Sequence, residues 1–281
     1  ILMDHVEIRF IIHPNFQRTG KESMVLSFYF DKGNFAPRQQ DALVLEYAVR
    51  GKREAALLVV CDGIGGLSEG EYASGYVTMR IRNWFYEDCL KHVKRRHGSR
   101  RIGRDCLGML YDCNRYLLLY GEEHGIRLGT TMTMAVLLSR RLFGLRILPR
   151  LTRYILFHVG DSRAYVIGKK CKRLTRDDSY GNHVLHRCIG SFPWQDVQKK
   201  RGYLRRGEKI FLCSDGFWRK LQQEEIAKSF GRGKGFGRGR KLTEDQAERR
   251  LRKLGEAGRQ RGEKDNQAAV VCCVAEKISG R

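Results

Sequence analysis

Short apolar runs punctuate the chain at residues 25–30, 42–49, 55–61, 131–138, 154–159, 164–167, 210–213 and 268–274. Each is bounded by Gly, Asp or basic residues, the pattern of strands closed by turns. The period changes after Glu71: Ala73, Val77, Ile81, Trp84 and Phe85 recur three and four apart and predict a helix with one apolar stripe. Leu107, Leu110, Cys113, Leu117 and Tyr120 predict a second helix over 106–120. A third is expected over 243–259, with Thr243 as N-cap and Gln246 as its capping-box partner. The strands come in groups with a helical pair between them, and βαβα alternation is absent. That order predicts an α+β fold, two packed antiparallel β-sheets (a β-sandwich) flanked by α-helices.

Residues 22–276 read as one domain, with 1–21 as an N-terminal extension and 277–281 as a tail. A hydrophobic fraction of 42% and an aromatic fraction of 10% exclude a disordered basic tail protein, which lacks the apolar surface to offset ordering entropy. No apolar run approaches the roughly 20 residues that span a bilayer, and the opening ILMDHVEIRF lacks a signal peptide's charged-then-apolar layout. A cytoplasmic protein without membrane insertion is expected, and a monomer. The nine cysteines form no CxxC pair, which argues for reduced, buried thiols rather than disulfides or a zinc ribbon.

The 54 Lys and Arg against 31 Asp and Glu leave a formal net charge of +23, an attraction toward something anionic. The basic runs KRRHGSRR (94–101) and KKRGYLRR (199–206), and the Gly/Arg-rich loop GRGKGFGRGR (231–240), raise a nucleic-acid reading. No recognised nucleic-acid motif accompanies them, and solvated faces and a flexible insertion account for them better.

Four aspartates share a more specific context. Asp41, Asp62, Asp215 and Asp265 each stand at or just outside the end of an apolar strand, where rigid backbone can hold carboxylates at fixed separations. Carboxylates converging on one spot repel and take up protons unless a divalent cation neutralises them, and hard oxygen donors favour Mg²⁺ or Mn²⁺. Glycine follows two of them, at Gly63 and Gly216, where it permits unusual dihedrals or close backbone approach.

The ordered set QQDAL, VVCDGIGGLSEGEYAS, LGTTMTMAVL, HVGDSRAYVI, LTRDDS, NHVLHRCIG, FLCSDGFW and KDNQAAVVCCV, running from about 22 to 275, resembles the metal-dependent serine/threonine protein phosphatases of type 2C in their bacterial form. The resemblance implies two Mn²⁺ or Mg²⁺ ions, with Asp62 bridging them. The Gly63 carbonyl and Asp41 would serve the second ion, Asp215 and Asp265 the first, and Asp161 a third. It implies hydrolysis of phosphoserine and phosphothreonine in proteins by a metal-activated water, with Asp62 and Asp215 central, and phosphorylated proteins and a cognate kinase as partners.

Several positions depart from the family pattern. The arginine expected five residues before Asp41 is Ala36, leaving Arg38 and Lys32 as the nearest candidates for phosphate binding. Ile64 stands where animal members have a histidine, and Asp178 where a histidine is common. Only Tyr180 and Gly181 occupy the place of the usual mobile flap, so an open cleft with weak peptide selection is expected. Glu71 is expected to offset the dipole of its helix. His183 and His186, three apart, lack a third ligand nearby. The alternatives are a catalytically weak, phosphoprotein-binding regulator and a basic nucleic-acid binder.

Overall fold

A computed structural model describes residues 24–50, 53–64, 69–93, 98–140, 151–180, 184–190, 193–194, 196–231 and 242–275. The Gly/Arg-rich loop after Gly231, Gly181, His183, residues 94–97 of the basic run 94–101 and both terminal segments lie outside the described residues. In chain order the elements are β1 (Met24–Asp31), β2 (Asp41–Arg50), β3 (Arg53–Asp62), α1 (Gly70–Trp84), a π-helical turn (Phe85–Cys89) and α2 (Leu90–His92). There follow α3 (Gly98–His124), β4 (Met132–Arg140), β5 (Thr152–Val159), β6 (Arg163–Ile167), β7 (Cys171–Arg173), β8 (Ser179–Tyr180) and β9 (Val184–Leu185). The last are β10 (Gln198–Leu204), β11 (Lys209–Cys213), α4 (Asp215–Trp218), α5 (Gln223–Phe230), α6 (Glu244–Gln260) and β12 (Gln267–Val274).

Two five-stranded antiparallel sheets form the centre, one in the order β1-β12-β11-β6-β7 and the other β10-β5-β4-β3-β2. Three apolar layers follow from strand alternation. Val44, Leu57, Val59 and Cys61 face α1 and α3, packing on Val77, Ile81, Leu110 and Leu117. Their neighbours Leu43, Leu58 and Val60 point the other way and meet Ile210, Leu212, Val270 and Cys272 between the sheets. Phe211, Val271 and Cys273 close the third layer against Phe230 and Leu251 of α5 and α6. Because both faces are covered, β3 and β12 read as continuous apolar runs although their partners are antiparallel. Truncating a side chain such as Leu58 to alanine at the inter-sheet layer costs about 2–5 kcal/mol.

Helix α6 begins as the capping box requires. The Gln246 N–H donates to Thr243 Oγ1 at 3.2 Å and the Thr243 N–H donates to Gln246 Oε1 at 3.3 Å. Helix α3 starts eight residues before the apolar periodicity does, at Gly98 rather than 106. Its first turns carry arginines and one fully buried apolar contact, Ile102. Strand β10, read from sequence as a solvated basic run, pairs with β5 along an edge and leaves Lys199, Lys200 and Arg201 exposed. All nine cysteines are unpaired and all but Cys171 are buried.

Candidate metal centre

The strand ends named above converge. In the β2–β3 ladder Asp41 and Asp62 are register partners, two carboxylates directly opposite each other. Like charges in that position are destabilising. Asp161 lies in the β5–β6 turn that links the two sheets, Asp215 opens α4 after β11 of the other sheet, and one carboxylate oxygen each from Asp62, Asp161 and Asp215 lie within 4.8 Å of one another. Asp41 and Asp161 are each 4% exposed and Asp215 is 8% exposed, so the group is largely withdrawn from water.

Burial and crowding move the protons accordingly. Burial, then the charges of Asp215 and Asp265, hold the Asp41 carboxyl well above its ordinary range. Burial, then the charge of Asp41 and its neighbours, raises Asp62 as well. Asp161 is pushed up to about 7, first by burial and then by Asp215. Asp265, about half exposed, is raised by its partial burial and by Asp215.

Each carboxylate is held by its own backbone. The Asp62 N–H donates to Thr131 Oγ1 (3.1 Å), while Thr130 Oγ1 (2.9 Å) and the Thr131 N–H (2.8 Å) donate to the Asp62 carbonyl. Ser214 Oγ donates to Asp41 Oδ2 at 2.8 Å and accepts the Ala268 N–H at 2.9 Å, joining the two sheets at the site. Trp218 Nε1 donates to the Asp161 carbonyl at 3.1 Å, and Arg163 covers the Trp218 ring at 3.1 Å while pairing with Asp177. Asp178 is buried and accepts the Gly160 N–H (3.1 Å) and Gln198 Nε2 (3.0 Å), bracing the turn that presents Asp161.

The two Asp-Gly pairs are explained by close approach. A Cβ on Gly63 would stand 2.3 Å from the Gly70 carbonyl oxygen, and one on Gly216 would stand 2.1 Å from that of Asn266. Neither glycine has a positive φ, so of the two reasons the sequence offered, only backbone proximity applies here.

Three residues with site roles escaped the sequence reading. Asn266 accepts the Gln40 N–H (2.7 Å) and donates to the carbonyls of Lys32 (2.9 Å) and Arg38 (3.2 Å), fixing the loop that delivers Asp41. Its place beside Asp265 was the available signal. Arg219, four residues after Asp215, pairs with Asp215 and lies 3.5 Å from Asp265 Oδ2; its Nη1 is also 3.5 Å from Glu263 Oε1. Glu263 is 3% exposed. The sequence candidate Arg38 is exposed on the rim, bonded to Glu71 at 2.5 Å, so Glu71 has a partner beyond its helix dipole. Lys32 is exposed, and its carbonyl accepts from Asn266. Tyr180 and Val184 belong to the small β8–β9 hairpin, where Tyr180 packs on His186 at 4.7 Å.

Acidic oxygens that crowd without enough positive charge form a donor set suited to a hard divalent cation. A sandwich of two antiparallel sheets between helices, with such a group at one end, defines a metal-binding catalytic scaffold. The protein phosphatase 2C family matches residues 36–254. The chain belongs to that family, whose members are metal-dependent phosphatases. Solved structures similar to it include the serine/threonine phosphatase Stp1 of Staphylococcus aureus, 22% identical with a TM-score of 0.69, covering 89% of this chain and 94% of that one. The serine/threonine phosphatase PstP/Ppp of Mycobacterium tuberculosis is 21% identical with a TM-score of 0.64, covering 90% and 99%. At such identities the likeness is one of fold. No curated protein matches the sequence significantly. Among the described residues no helix is long and apolar enough to cross a membrane.

Proposed function

We propose that this protein hydrolyses phosphoserine and phosphothreonine in proteins at a centre holding two Mn²⁺ or Mg²⁺ ions. Asp62 and Asp215 bind the ions together with Asp41, Asp265 and the Gly63 carbonyl, and Asp161 serves a third. The observation that carries this reading is the carboxyl group of three within 4.8 Å, backed by the direct Asp41–Asp62 opposition. Divalent ions bound there supply an acidified water as nucleophile and neutralise charge on the phosphoryl group.

The protein's own side chains support attack by water rather than by a residue. Ser162 and Ser214 are fully buried, one bonded to Thr131 and the other donating to Asp41. Cys61 and Cys213 are fully buried, and burial pushes both thiols up, away from the reactive thiolate. Arg38, exposed at the rim, binds the substrate phosphate once it releases Glu71, and Ile64 offers no proton, so a metal-bound water or the solvent would protonate the leaving alkoxide. The net charge of +23 draws in acidic, phosphorylated segments. Residues 22–276 act as one catalytic domain in the cytoplasm, on the targets of a cognate kinase.

The test is direct. Metal-stripped protein is assayed on an aryl phosphate and a phosphothreonine peptide with and without Mn²⁺. Mn²⁺-dependent turnover of both is expected, with little discrimination among phosphopeptides because of the short flap. Turnover without added metal in the presence of chelator would sink the reading.

A further inference from the structure

The cation beside the acidic group is the protein's own. Arg219 caps the single turn of α4, and its Nη2 pairs with Asp215 one turn back while lying 3.5 Å from Asp265 Oδ2. The same guanidinium faces a third carboxylate, with Nη1 3.5 Å from Glu263 Oε1. Glu263 differs from the other two because no role at the ions is proposed for it. It is 3% exposed, its Oε1 accepts the N–H groups of Lys264 and Asp265, and its Oε2 has no hydrogen-bond partner. The Arg219 Nε is buried without a partner too. A spare acceptor and a spare donor therefore sit on side chains already in ionic contact.

We infer that Arg219 is a tethered counter-cation that competes with a divalent ion for Asp215 and Asp265 and withdraws onto Glu263 when an ion enters. A guanidinium and a divalent ion held on the same Asp215 carboxylate repel each other, so loading of the ion favours withdrawal of the arginine. Its stem stays where it is; the head rotates toward a carboxylate it already touches, where Nη2, released from Asp215, and the free Nε form a forked pair with Oε1 and the free Oε2. The charge balance holds in both states. Before loading, Arg219 compensates Asp215 and Asp265 in part. Afterwards the ion compensates them, and Glu263, a buried acid that would be costly without a partner, keeps the arginine. Arg219 is thus a positioning residue for ion affinity. The inference rests on the metal-centre reading above.

The experiment is calorimetric titration of Mn²⁺ into metal-free full-length protein, Arg219→Gln, Arg219→Ala, Glu263→Gln and the double variant Arg219→Ala/Glu263→Gln, with circular dichroism to verify folding. Removing the arginine's charge should tighten Mn²⁺ binding about tenfold, a moderate coupling. Glu263→Gln should weaken it several-fold, because the arginine loses its retreat. In the Arg219→Ala background the Glu263→Gln effect should vanish. Equal or weaker binding by both Arg219 variants overturns the inference. So does a Glu263 effect that persists undiminished in the double variant, which is plain additive electrostatics. If Arg219→Ala does not fold, Glu263→Gln alone decides: unchanged or tighter binding overturns it. Absence of Mn²⁺ binding in every protein overturns the metal-centre reading with it, whereas equal binding by all overturns only the role of Arg219.

Discussion

The two sheets bring acids to the same end of the molecule on opposite terms. Sheet β10-β5-β4-β3-β2 delivers Asp41 and Asp62 face to face, and among the described residues no lysine or arginine pairs with either. Uncharged groups support them, Ser214 and Gln39 for one and Thr130 and Thr131 for the other. Sheet β1-β12-β11-β6-β7 delivers Asp215 and Asp265 with an arginine already between them. One half of the site is strained toward an outside cation, and the other carries a cation that an outside ion must displace. A single acidic group can therefore call for an outside cation on one side and already hold a cation on the other.

The largest effect that would break this contrast is at Asp62. Asp62→Asn should lower kcat for Mn²⁺-dependent hydrolysis on the order of 10³-fold while raising the melting temperature of metal-free protein, since Asp41 loses its opposed charge. Arg219→Gln should move the metal-free melting temperature the other way, because Asp215, Asp265 and Glu263 lose their counter-cation. Each kcal/mol corresponds to about 2–4 °C in a domain of this size. Equal signs for the two variants in a thermal melt would erase the contrast.

Next in size is a pH effect from within the sheet that carries the uncompensated pair. His158 of β5 is fully buried between Thr133 Oγ1 (2.8 Å) and the Arg176 carbonyl (3.2 Å), and burial lowers its pKa to about 4. The unfolded histidine takes its proton near pH 6.5 and the folded one only near 4, so the unfolded state binds more protons between those values. Stability should fall by a few kcal/mol as pH drops from 6.5 to about 4, measured by urea unfolding. The difference between parent and His158→Gln across that window isolates the contribution, and a flat difference would refute it.

Ser214→Ala sharpens the contrast from the seam between the sheets. It removes a donor from Asp41 and an acceptor from the Ala268 N–H, at a cost of about 1–3 kcal/mol in chemical denaturation. Smallest is Arg38→Ala. The Arg38 side chain is 73% exposed, so stability should change by less than about 1 kcal/mol. KM for a phosphopeptide should rise several-fold with kcat little changed, as for a group that binds ground and transition states alike. A kcat loss with constant KM would remove Arg38 from phosphate binding.

Much of this was legible before any coordinates. Eight apolar runs became strands β1–β6, β11 and β12 with ends moved by one or two residues, because burial on both faces writes an uninterrupted apolar signal. The capping box at Thr243 located α6 to within one residue. What stayed hidden has physical reasons. Strand β10 pairs through its backbone while its exposed cations face water, so its side chains carry no strand pattern. Asn266, Arg219 and Glu263 act through contacts with loops and helices distant from their own strands or turns, and a single sequence gives no sign of which polar residue will be buried. Asp161, expected from the resemblance to serve a third ion, lies in the β5–β6 turn with a carboxylate oxygen close to those of Asp62 and Asp215, a proximity its sequence position alone does not show.

Strand β12 lies between β1 and β11, with Met24 registered against Val274. Its consequence is one of timing. A ribosome releases β2 with β3 and β4 with β5 as partners close in sequence, whereas β1 and β11 must wait for β12 before their central seam can zip. Until then β1 and β11 present open edges, and pairing across so long a stretch of chain is slow. Asp265, just ahead of β12, reaches its place in that same closing step, so the nascent chain is denied a complete acidic site until its fold is nearly finished.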